Sequence, residues 1–118
     1  MFNRTIKLGE EEYYFNMVDI DFRENLFASL GIYADELSKV EVDNLTNEEE
    51  TEALRTQYHI VEKFNDSVLG EGATSKYLNG KKDVYGAFDV MKQIGIFKDK
   101  QLEEFGEYGD EFAEFGNK

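Results

Sequence analysis

One histidine, His59, and no cysteine occur in this chain, so the chemistry open to it is narrow. No thiol nucleophile, disulfide or thiolate metal site can form. A zinc site would need several carboxylates around a single imidazole, which is an unusual donor set. His59 stands one helical turn after Arg55 and one before Lys63, a basic polar strip that reads as surface. Carboxylates cluster at Asp19-x-Asp21, along Glu48 to Glu52 and at Asp110-Glu111. None of these has the spacing, central glycine and terminal glutamate of a calcium loop. We therefore expect no catalytic residue, no metal ligand, no cofactor and no enzymatic activity.

The stretch Gly70-Glu-Gly72-Ala-Thr-Ser-Lys76 is the nearest approach to a phosphate loop. It departs from one in three ways. A helical pattern precedes it where a strand is required, the third glycine of a dinucleotide fingerprint is missing, and so is the Gly-Lys-Ser/Thr ending of a nucleotide loop. It reads as a corner. Gly70 is expected to stop a helix in the left-handed position, and Gly72 gives a second free dihedral before Thr74 or Ser75 caps a short turn. Tyr77 and Leu78 are the apolar wedge of that turn, and Asn79-Gly80 ends it. Lys76, Lys81 and Lys82 form a local basic patch on an acidic chain, an asymmetry suited to head-to-tail self-association.

The elements around this corner follow from periodicity. Residues 2–18 read as a β-hairpin turning at Gly9-Glu10. That register sets Ile6 against Tyr13 and Phe2 against Met17 on one face, and Lys7 against Glu12 and Thr5 against Tyr14 on the other. Apolar meets apolar and opposite charges meet, so the pairing is self-consistent. A helix over about 20–41, capped by Asp19 or Asp21, carries the stripe Phe22, Leu26, Leu30, Tyr33, Leu37 and Val40. Gly31 is a place where it could bend, and Phe27 and Ile32 lie off the stripe. Thr46 with Glu49 forms a capping box for a helix over 47–69, with Leu54, Tyr58, Val61, Phe64 and Val68 on one face. Asp83 caps a helix over 83–95 with the stripe Val84, Phe88, Met91 and Ile94. Gly95 is expected to end it, leaving Ile96 and Phe97 just beyond and a short helix over 99–105. The fold class is α+β: an N-terminal hairpin packed on about three main helices, one domain over 1–105.

Residues 106–118 change character. Acidic residues alternate with aromatics and glycines, which reads as a flexible acidic-aromatic tail. Two readings stand side by side: a frayed terminus, and a docking segment whose Phe105, Tyr108, Phe112 and Phe115 fill pockets on a partner.

Over the whole chain the net charge is −13 and hydrophobic residues are 41% of the total. The second figure allows a real core. The first repels nucleic acid and anionic membranes, and no apolar run is long enough to span a bilayer. Binding to nucleic acid or to a membrane is therefore not expected, and a cytoplasmic location is. A row of carboxylates also admits mimicry of nucleic acid, with a host or defence nuclease as the target.

The apolar-Gly-Glu-Gly corner, the short turn, Asn79-Gly-Lys-Lys-Asp83 and the amphipathic helix after it resemble the tail assembly chaperones of long-tailed bacteriophages of Gram-positive hosts. The similarity spans roughly Ile6 to Ile94. It implies a non-enzymatic protein of the host bacterial cytoplasm, absent from the mature virion. Such a protein keeps the tape measure protein soluble until tail tube subunits assemble around it. The partners implied are the tape measure protein, further copies of the chain, a frameshifted longer form of it, and the major tail protein.

Overall fold

The computed structural model describes residues 2–116, except the side chains at 112 and 114–116. The element order is β1 (Thr5–Leu8), β2 (Glu11–Tyr14), α1 (Ile20–Ser38), α2 (Asn47–Leu69), α3 (Ala73–Tyr77) and α4 (Val84–Gly116). This is the expected α+β arrangement of a hairpin on three long helices, with the corner forming a fourth, short one.

The hairpin adopts the expected register, Thr5 with Tyr14, Ile6 with Tyr13, Lys7 with Glu12 and Leu8 with Glu11. Gly9 takes φ +62° at the turn, which suits glycine in the first position of a two-residue hairpin loop. The ladder extends one step further, through the Phe15 amide bonding the Arg4 carbonyl at 2.9 Å. Ile6, Leu8, Phe15 and Met17 are buried while Thr5 and Lys7 face out. Two strands alone are marginal in water, and the helices supply the missing surface. The inward hairpin residues share one core with Leu26, Phe64, Val68, Leu69, Val90 and Ile94. Phe15 meets Phe22 and Phe97 edge-on, with ring centroids 4.8 and 5.2 Å away.

Helix α2 packs on both α1 and α4 and buries Tyr58, Val61, Phe64 and Val68 as its stripe predicts. Its capping box forms, with the Thr46 hydroxyl and the Glu49 carboxylate each bonding the other's backbone amide. Leu54, assigned to the same face, is instead 47% exposed. It lines an open hollow with Val84 and Tyr85 at the start of α4, which leaves it only partly covered. Asp19 caps α1 and also accepts the Tyr14 hydroxyl at 2.6 Å. Of the α1 stripe only Leu26 is fully buried, because this helix lies at the margin of the core.

The largest difference from the sequence pattern lies in the last helix. Gly95 does not end it. One helix runs from Val84 through Gly95, Gly106 and Gly109 to Gly116, so Ile96, Phe97 and residues 99–105 are interior turns. Nothing lies within 4 Å of a Cβ added at Gly95. The glycine therefore costs only its propensity, about 1 kcal/mol. Continuing the helix lets Phe97, Gln101 and Leu102 reach the hairpin, and packing outweighs propensity. Thirty-three residues of α4 rising about 1.5 Å each give a helix about 50 Å long, the greater part of the 68 Å long axis.

Candidate functional site

The chemistry-bearing residues of the sequence are dispersed by the fold. His59 is on the surface, its Nδ1 3.5 Å from the Glu62 carboxylate. Among the described residues no three acidic or histidine side chains are placed to hold a metal ion.

The glycine corner holds an anion of its own. The Asp66 carboxylate, from α2, accepts the Gly72 amide at 3.1 Å, the Thr74 amide at 3.0 Å and the Thr74 hydroxyl at 2.8 Å. Those are the donors that a phosphate would use, so the corner is structural. Gly70 has φ 134° and ψ 151°, a region reserved almost wholly to glycine. That corrects the expected left-handed position, which Gly72 occupies instead. A carbon added at Gly86 would lie 2.5 Å from Leu78 Cδ2, so Leu78 is wedged against the start of α4. Tyr77 closes the other side, its hydroxyl 3.4 Å from Asp89 Oδ2 and 3.3 Å from Gln93 Nε2. Lys76 is held by Glu11 at 3.0 Å, which raises its pKa and ties the corner to the hairpin. Of the basic patch, the Lys81 and Lys82 side chains remain exposed. Lys82 joins Arg55, Leu54, Val84 and Tyr85 around a hollow of about 550 Å³.

The site with the most to offer a partner lies at the other end of α4. Its origin is Gln101, only 2% exposed. The Gln101 carboxamide accepts the Met17 amide at 2.9 Å and donates to the Asn3 and Phe15 carbonyls at 2.7 and 2.6 Å. The ladder ends before the expected pair of Phe2 with Met17, and a side chain from α4 instead bridges Asn3 to Phe15 and Met17. Beyond this clamp, α4 and the open end of the hairpin diverge and leave a groove of about 850 Å³. Phe2, Val18, Phe105 and Tyr108 supply its apolar surface, and Glu104, Glu107, Glu111 and Arg4 its charges. Phe105 is 45% and Tyr108 55% exposed. A further hollow between α1 and α2 is rimmed by Glu36, Glu41, Glu48, Glu49 and Glu52 with Lys39.

The structure therefore brings two of the four expected docking aromatics, Phe105 and Tyr108, into one groove. The side chains of Phe112 and Phe115 lie outside the described residues. Phe2, Val18 and Gln101 were not legible as site residues. One signal for Gln101 exists: a polar side chain one turn from both Phe97 and Phe105, inside an otherwise apolar stripe.

Among the described residues no helix is long and apolar enough to cross a membrane. Fold and groove together define a small acidic α+β protein, a hairpin laid on three long helices with an open, acid-rimmed apolar groove at one end. The chain belongs to a family of unknown function (DUF6673), whose sequence pattern matches residues 9–118. No curated protein and no solved structure matches it.

Proposed function

We propose that this protein is a phage tail assembly chaperone. It binds the tape measure protein and keeps it soluble during tail tube assembly, without enzymatic chemistry. It works in the host bacterial cytoplasm and does not enter the mature virion. The observation that carries this reading is the groove between Phe2, Val18, Phe105 and Tyr108. A holdase needs exposed apolar surface for a client's amphipathic segments. It also needs enough like charge to keep the loaded complex in solution, and the net charge of −13 supplies that. The protein acts in several copies, with Lys81 and Lys82 at the contact between them. A frameshifted longer form of the chain and the major tail protein are the further partners.

Co-expression with a tape measure protein from the same genome tests the reading. The expected result is a soluble complex that elutes together. Replacing Phe105 and Tyr108 by alanine should return the client to the insoluble fraction. A client that stays insoluble beside the wild-type protein, or that is soluble without it, overturns the proposal.

A further inference from the structure

We infer that the groove at the end of α4 takes a basic amphipathic helix. The inference rests on the chaperone reading, because it names the segment of the client that binds, and it adds the chemistry of that segment.

Two observations fix the form of the ligand. Four backbone groups beside the groove are already spent. Asn3 O, Phe15 O and Met17 N are bonded to Gln101, and Val18 N to the Asn16 side chain at 3.1 Å. An added β-strand would find these four groups closed to it, so recognition runs through side chains, as when a helix lies in a groove. The wall that faces the ligand is itself helical. From Glu104 to Glu111 it covers two turns of α4, about 10 Å of axis. A helix laid along it presents side chains at the same three- and four-residue steps.

The charges fix the sign. Three carboxylates, Glu104, Glu107 and Glu111, line the groove against one guanidinium, Arg4. None of the four has an ion-pair partner within 4 Å among the described residues. An acidic or neutral helix would leave the carboxylates unanswered in a partly desolvated site, whereas lysine or arginine beside an apolar stripe answers them. The occupant is thus a helix whose apolar stripe covers Phe105 and Tyr108 and whose basic residues recur at three-, four- and seven-residue steps. A second copy of this groove is excluded as the occupant by its own like charge.

Two designed peptides test this with the full-length protein. Both are helical, about 18 residues long, five turns, with one leucine stripe. One carries lysine beside the stripe and the other glutamate, and binding is read by fluorescence anisotropy. The lysine peptide should bind about tenfold or more tightly, with the gap closing at high salt. The triple variant E104K/E107K/E111K should reverse the preference while keeping its melting temperature. Equal affinities, binding of neither peptide, or an unreversed preference in the variant each overturn the inference. Capture of the tape measure protein by the triple variant at wild-type strength overturns it too, and leaves the chaperone reading standing. The expected peptide preference without any capture of the tape measure protein overturns the chaperone reading alone.

Discussion

The carboxamide of Gln101 stands where the hairpin ladder would take its next step, and it receives the Met17 amide at 2.9 Å. The same side chain donates to the carbonyls of Phe15 and Asn3. A residue 84 positions away from Met17 in sequence thus finishes the sheet and fixes where α4 leaves the body. Replacing Gln101 by leucine should destabilise the fold by about 3 kcal/mol, since it strands a buried donor and buried acceptors. Urea denaturation would read this. Replacement by glutamate should cost at least as much at neutral pH, with stability recovering as acid restores a donor. A Gln101→Leu protein with an unchanged midpoint would show that water already serves those groups.

Glycines separate by backbone angle. Gly70 at φ 134° has no room in conformational space for a side chain, although open space surrounds it. Gly70→Val should lower stability by about 1–3 kcal/mol through backbone strain alone. Gly31, interior to α1 with nothing within 4 Å of its missing Cβ, should behave oppositely. Gly31→Ala should raise stability by up to about 1 kcal/mol. Paired thermal melts check both, and a Gly70→Val protein that melts with the wild type would refute the strained corner.

Asp66 is the internal anion of the corner, with three donors converging on it. Asp66→Ala should cost about 2 kcal/mol, from lost charge-assisted hydrogen bonds. It should also loosen the stretch from Gly72 to Thr74. Hydrogen exchange at those amides is the readout, and unchanged protection there would count against the carboxylate as the organiser.

Alkali should destabilise the protein by way of Tyr58. Burial, with the Glu62 carboxylate beside it, pushes the Tyr58 hydroxyl up from its ordinary value of 10.0 to about 12. The folded state therefore keeps a proton that the unfolded chain releases. This contribution is complete below pH about 10 and is lost as pH rises toward 12. Chemical denaturation should show stability falling across that window, and less steeply in Tyr58→Phe. At the acid end the sign reverses for Asp19 and Glu49. The Tyr14 hydroxyl holds Asp19 below the usual carboxylate range, and the Thr46 backbone amide does the same for Glu49. Their stabilisation is present above the ordinary carboxylate pKa and is lost as pH falls through the lowered one.

Much of the architecture was readable from local rules. The hairpin register followed from alternation and charge pairing. The caps at Asp19 and Thr46 followed from side chains that bond their own neighbours. The wedge of Tyr77 and Leu78 followed from the glycines around it. Each depends on residues close in sequence, and the local geometry is the same wherever the element lands. Leu54 shows where this stops, because a residue on an apolar stripe is buried only if a neighbour arrives to cover it.

The amino-acid sequence by itself determined the α+β class, the strand pairing, the start of each long helix and the acidic character of the chain, while the short corner helix starts at Ala73 behind Gly72 and not at a Thr74 or Ser75 cap. Tertiary structure alone decided that α4 runs through Gly95, because contacts of Phe97 and Gln101 with a distant hairpin outweigh a glycine's local preference. It alone decided that Asp66 fills the corner. It also placed Phe105 and Tyr108 beside Phe2 and Val18 as the walls of one groove. The first and third of these outcomes depend on groups far apart in the chain, and the second on a turn that folds Gly72 and Thr74 back onto Asp66 six and eight residues earlier, so no period or propensity measured along the chain brings these groups together.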